Sequence, residues 1–93
     1  VIYESSRSIT SSITQEWARR RADHEEPAWE LSWRPEPLLD REAAKAAMLL
    51  TEMCSGREEP GAGAEAIATE LGTTVQHVLA VLHRRMLERG DMP

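Results

Sequence analysis

Residues 63–90, GAEAIATELGTTVQHVLAVLHRRMLERG, constrain this chain more than any other stretch. Ala64, Ile67, Ala68 and Leu71 fall at i, i+3, i+4 and i+7, the spacing that gathers apolar side chains on one face of a helix. Gly72 follows directly, where a helix can end in the left-handed conformation that glycine adopts cheaply. Thr73 or Thr74 can then accept a hydrogen bond from a free backbone N–H and start a second helix. That helix is expected to bury Val75, Val78, Leu79, Leu82 and Met86 on one stripe and to stop at Gly90. The pattern predicts helices over 63–71 and 74–89 joined by a tight turn.

Upstream, Asp40 is suited to cap a helix over 40–55, with Glu42 in the first turn to complement the dipole. Ala43, Ala47, Leu50 and Cys54 form its seam, and Ala46 and Met53 widen it, as expected of a central helix packed on more than one side. Gly56 ends it. The following REEPGAGA is a loop signal whose glycines lack the Lys and Ser/Thr of a phosphate-binding loop.

The first third is read from two patterns. Ile9, Ile13 and Trp17 recur every four residues, with Ala18 and Ala22 extending the apolar side, which predicts a helix over 9–23. Its serines and threonines weaken that helix by competing for backbone hydrogen bonds. Arg19, Arg20 and Arg21 are expected on a solvated face, neutralised by Asp23, Glu25 and Glu26. After the break at Pro27, Trp29, Leu31 and Trp33 alternate with Glu30, Ser32 and Arg34, the period of a half-buried extended segment. Pro35 and Pro37 keep the chain extended beyond it.

Ninety-three residues make one small domain. With no Phe and one Tyr, the core must come from Ala, Leu, Met and three Trp, a composition that favours helices over sheets. The fold class expected is mainly α. No apolar run reaches the roughly twenty residues of a bilayer span, and no signal-peptide pattern opens the sequence. The lone Cys54 is expected as a small buried hydrophobe in a reducing cytoplasm. A start at Val1 rather than Met is read as processing or excision from something longer.

The helices over 40–55, 63–71 and 74–89 resemble the three-helix core of small bacterial helix-turn-helix and winged-helix-like transcription regulators. The resemblance covers residues 40–90. It rests on AIATELGTTVQHVLAVL, where Ala68, Leu71, Gly72, Val78 and Leu82 occupy the places of the regulators' A-x-x-L-G-x-x-x-x-x-V-x-x-x-L run. Unlike the winged-helix pattern, no C-terminal wing is expected after Gly90. Leu82 to Gly90 is one residue longer than the usual spacing, so Arg85 stands where an apolar residue is expected.

The resemblance implies a DNA-binding transcription regulator. Thr74, Gln76, His77, Arg84, Arg85 and Arg89 would meet the duplex, Gln76 reading adenine and the arginines gripping phosphate. Although the chain carries a net charge of −5, residues 73–93 hold Arg84, Arg85 and Arg89 against Glu88 and Asp91, the only net-positive third. So few phosphate contacts point to a homodimer. Ile9, Ile13, Trp17, Trp29 and Trp33 are expected to form its interface, because a three-helix core leaves them uncovered. Residues 1–39 are accordingly expected as a dimerising helix and arm, and 40–93 as the helix-turn-helix domain. The alternatives are a protein-interaction module on the same fold, or the terminal domain of a larger DNA-handling protein. No cofactor, metal set or catalytic residue is expected. His77 and His83 diverge on one helix, and the carboxylate pairs Glu25/Glu26 and Glu58/Glu59 lie in polar loops.

Overall fold

A computed structural model describes residues 1–22, 28–56 and 61–90, with the backbone alone at Pro37. Five short strands come first: β1 (Ile2–Glu4), β2 (Ser8–Ser11), β3 (Ala18–Arg20), β4 (Trp29–Leu31) and β5 (Arg34–Leu39). Three helices follow: α1 (Arg41–Ser55), α2 (Ala62–Glu70) and α3 (Val75–Arg89). Each strand pairs antiparallel with its sequence neighbour, giving one sheet in the order β1-β2-β3-β4-β5.

The chain is therefore α+β, and the mainly α, all-helical expectation is overturned by this sheet. No helix forms over the described part of 9–23. Ile9 lies on β2 and Ala18 on β3, paired with each other and both fully buried, while Thr10 and Arg19 turn outward. The four-residue recurrence of Ile9, Ile13 and Trp17 is incidental. Hydroxyls take the backbone away from the helix instead, as such side chains do. Ser5 Oγ accepts from the amides of Arg7 and Ser8, Ser11 Oγ from those of Ile13 and Thr14, and Thr14 Oγ1 from that of Glu16. These local bonds build the β1–β2 turn and the β2–β3 connection.

The alternation after residue 28 is a strand and a tight turn. Trp29 and Leu31 point inward from β4, Ser32 and Trp33 make the turn, and Leu31 pairs with Arg34 of β5. Pro35 and Pro37 fall within β5, an edge strand, the place in a sheet where a missing N–H is tolerated. Its register against β4 is interrupted between the Trp29–Leu39 and Leu31–Arg34 pairs.

Helix α1 lies against the sheet on one side and against α2 and α3 on the other. Asp40 caps it, accepting from the Ala43 amide at 2.7 Å. Its buried residues are Ala44, Ala47, Met48, Leu50, Thr51 and Cys54, whereas Met53 is exposed. Burial pushes the Cys54 thiol pKa up and keeps it protonated. Trp33 reaches α1 by donating Nε1–H to Thr51 Oγ1 at 2.9 Å, and Thr51 donates onward to the Ala47 carbonyl at 2.7 Å.

Helices α2 and α3 are joined as the glycine and threonines predict. Gly72 has φ 75° in the left-handed region, and Thr74 caps α3 by accepting from His77 N at 3.1 Å. Ala64, Ala68, Val78 and Leu82 are buried and Ile67, Leu71 and Val75 partly so, but the buried stripe is narrower than expected: Leu79 and Met86 lie at its margin and are exposed. Gly90, also left-handed, ends α3. Among the described residues no helix is long and apolar enough to cross a membrane. Of the loop expected over 57–64, Ala62–Ala64 instead open α2, while residues 57–60, the break at Pro27, His24 and the pairs Glu25/Glu26 and Glu58/Glu59 lie outside the described residues.

Candidate nucleic-acid interface

Helix α3 presents two unlike faces. Val78 and Leu82 face the core, and one more step along the same stripe brings Arg85 and then Arg89. Both arginines turn toward the sheet, onto Glu16 of the β2–β3 connection. Arg85 Nε donates to both Glu16 carboxylate oxygens at 2.9 Å, Arg89 Nη1 to Oε2 at 2.8 Å, and Ser32 Oγ to Oε1 at 2.6 Å. Glu16 is only 2% exposed. Burial, the largest influence, pushes the Glu16 pKa up. Hydrogen bonds from Arg85, Ser32 and Arg89, with the charge of Arg85, together outweigh it and hold the carboxyl below its usual range.

The opposite face carries Gln76, His77, Ala80, His83 and Arg84, all exposed. At its start, Glu65, Thr69, Thr73, Thr74, Val75 and Gln76 line an open groove of about 390 Å³ between α2 and α3. Of the six residues expected at DNA, Gln76, His77 and Arg84 thus share the outer face and Thr74 marks its beginning. Arg85 and Arg89 are corrected: they bind the chain's own buried acid. The odd spacing that puts Arg85 on an apolar position was the signal for this, since an arginine on a core stripe requires a buried anion. Glu16 lies within 9–23, where the expected helix gives way to the β2–β3 connection.

The expected dimer surface is corrected as well. Ile9 is 0%, Trp29 1% and Trp33 6% exposed within a single chain, because the sheet and α1 cover them. Trp17 is half-buried, with the Arg19 guanidinium 4.1 Å over its ring, and only Ile13, at 55%, is open. Arg19 and Arg20 end β3 and Arg21 follows it, rather than all three lying on a helix. Arg21 lies 3.6 Å from Glu30, and the acids expected to neutralise the three, Asp23, Glu25 and Glu26, lie outside the described residues.

The sheet also fixes the turn. Arg34 at the start of β5 donates Nη1–H to the Leu71 carbonyl, the C-terminal cap of α2, at 2.8 Å. Among the described residues no three His, Cys, Asp or Glu side chains converge to hold a metal. No protein family, curated protein or solved structure matches the chain.

Proposed function

We propose that this chain binds duplex DNA through α3, as a cytoplasmic transcription regulator acting as a homodimer. The observation that carries the reading is the outer face of α3. Gln76, His77, Ala80 and Arg84 are exposed together on a 15-residue helix that follows a tight glycine turn, an arrangement able to lie in a major groove. Gln76 supplies a donor and an acceptor for a base edge, and Arg84 a phosphate contact. With Arg85 and Arg89 engaged by Glu16, one α3 makes few phosphate contacts, so a specific site requires two copies.

A second reading is a protein-interaction module. It is favoured by the exposure of Leu79, Met86 and Leu87 on α3 together with the inward turn of two arginines. Selection from a random duplex library at moderate salt, followed by anisotropy on enriched sites, separates the two. An enriched palindrome, with Gln76→Ala relaxing one base position and Arg84→Ala weakening all sequences alike, supports the dimeric regulator. An absence of binding even at low salt removes it and favours the protein partner.

A further inference from the structure

A second cationic feature lies at the other end of the sheet from Arg34 and the α2–α3 turn. Arg7, Arg20, Arg21 and Ala22 line an open cleft of about 390 Å³. The strand ladder builds it. Arg20 ends β3, paired with Trp29, and its amide donates to the Arg7 carbonyl at 2.9 Å, so the two arginines sit on neighbouring chain segments. Arg7 is held from behind by the β1–β2 turn. Ser5 Oγ accepts from the Arg7 amide at 3.2 Å and from the Ser8 amide at 3.0 Å, and Ser5 N donates to the Ser8 carbonyl at 2.8 Å. Arg41 ties this turn to α1, donating to the Ser5 carbonyl at 3.0 Å.

The charges around the cleft are uneven. Arg41 and Lys45 share Glu4, and Arg21 has Glu30. Arg7 and Arg20 are exposed and have no ion-pair partner among the described residues. Two guanidinium groups facing one cleft repel each other, yet they stand on a braced turn in a chain of net charge −5. An anion with several oxygens removes that repulsion and matches the planar forks of both side chains.

We propose that this cleft is a phosphate-binding site, with Arg7 and Arg20 as its ligands. The phosphate is either a free phosphate ester or a phosphodiester of a nucleic-acid backbone, which present the same oxygens. The site is separate from the outer face of α3, so it stands or falls apart from the DNA reading of that helix.

The test is titration of the whole chain with inorganic phosphate against chloride at matched ionic strength, followed through the arginine Nε–H signals by NMR. Saturable shifts at Arg7 and Arg20 with phosphate alone are expected. Arg7→Ala and Arg20→Ala should each weaken binding at least tenfold, Arg20→Lys by less, and Arg84→Ala not at all. Circular dichroism checks that each variant keeps its fold. Should Arg7→Ala and Arg20→Ala both unfold, the wild-type titration alone decides: shifts that fail to saturate, or that chloride reproduces, overturn the site, as does full binding by a folded Arg20→Ala. Competition then names the source. A short duplex that displaces phosphate assigns the cleft to a nucleic-acid backbone, and a nucleoside 5′-monophosphate that displaces it where the duplex does not assigns it to a free ester.

Discussion

Arg85 Nε lies 2.9 Å from both carboxylate oxygens of Glu16, across 69 positions of sequence. The contact joins the connection between two strands to the last turns of α3 and buries a charge that α3 alone could not hold. Arg85→Ala leaves that carboxylate with Arg89 and Ser32 only. It should destabilise by about 3 kcal/mol, measured by urea unfolding. Glu16→Gln should cost less, because both arginines keep access to water once the acid is neutral. An Arg85→Ala midpoint equal to wild type would show that the pair contributes nothing.

The same carboxyl sets an acid dependence. Its folded pKa lies below the usual range, so the unfolded chain binds the proton more readily and the contribution to stability rises with pH. That contribution is complete above the unfolded value, about 4.3, and is lost as pH falls below it through the folded one. The stability difference between wild type and Glu16→Gln should be greatest near neutrality and shrink from about pH 5 downward. A constant difference across that window would assign the effect to packing instead.

The two glycines on either side of Thr69 should respond oppositely to alanine. A Cβ at Gly63 or at Gly72 meets nothing within 4 Å, so backbone conformation alone decides. Gly63 lies in α2 and Gly63→Ala should stabilise by about 0.5–1 kcal/mol. Gly72 has φ +75°, and Gly72→Ala should cost about 1 kcal/mol. Thermal midpoints that move in the same direction for both would refute this account of the turn.

The helix pair was legible because its signals are local. The 3.6 period, the glycine and the capping threonine act within a few residues of one another, and the two helices and their turn appear where expected, although Leu79 and Met86 fall outside the buried stripe. The sheet was not, because four of its five strands have only three or four residues and hold at most two inward positions each. So few positions match a helical period as readily as an alternating one, as Ile9 and Ile13 illustrate. What decides between them is pairing, and Ile9 meets Ala18 only after a turn that serine and threonine hydroxyls shape. The site divides in the same way: Gln76, His77 and Arg84 follow from helical geometry, whereas the inward turn of Arg85 depends on Glu16, far off in sequence.

The core stripe of α3 gives a further contrast. Leu82→Ala should cost about 2–5 kcal/mol, since Leu82 is buried in the core cluster. Leu79→Ala, one turn earlier and 37% exposed, should stay within about 0.5 kcal/mol, as surface changes do. Chemical denaturation of both variants checks the rotation of the helix about its axis, and equal losses would contradict the placement described.

The bond from Arg34 to the Leu71 carbonyl has a consequence for how this molecule can vary. Together with the Glu16 pair it pins the two ends of the α2–α3 unit, one near its turn and one near its tail, to residues of the strand region. The helix pair is therefore not a portable cassette whose aim is intrinsic. Its bearing is indexed to the sheet, like a pointer clamped at two places to a dial. A chain cut between residues 39 and 40 would lose both clamps together with the Trp33 bond to Thr51, and the direction in which Gln76 and Arg84 point would no longer be specified.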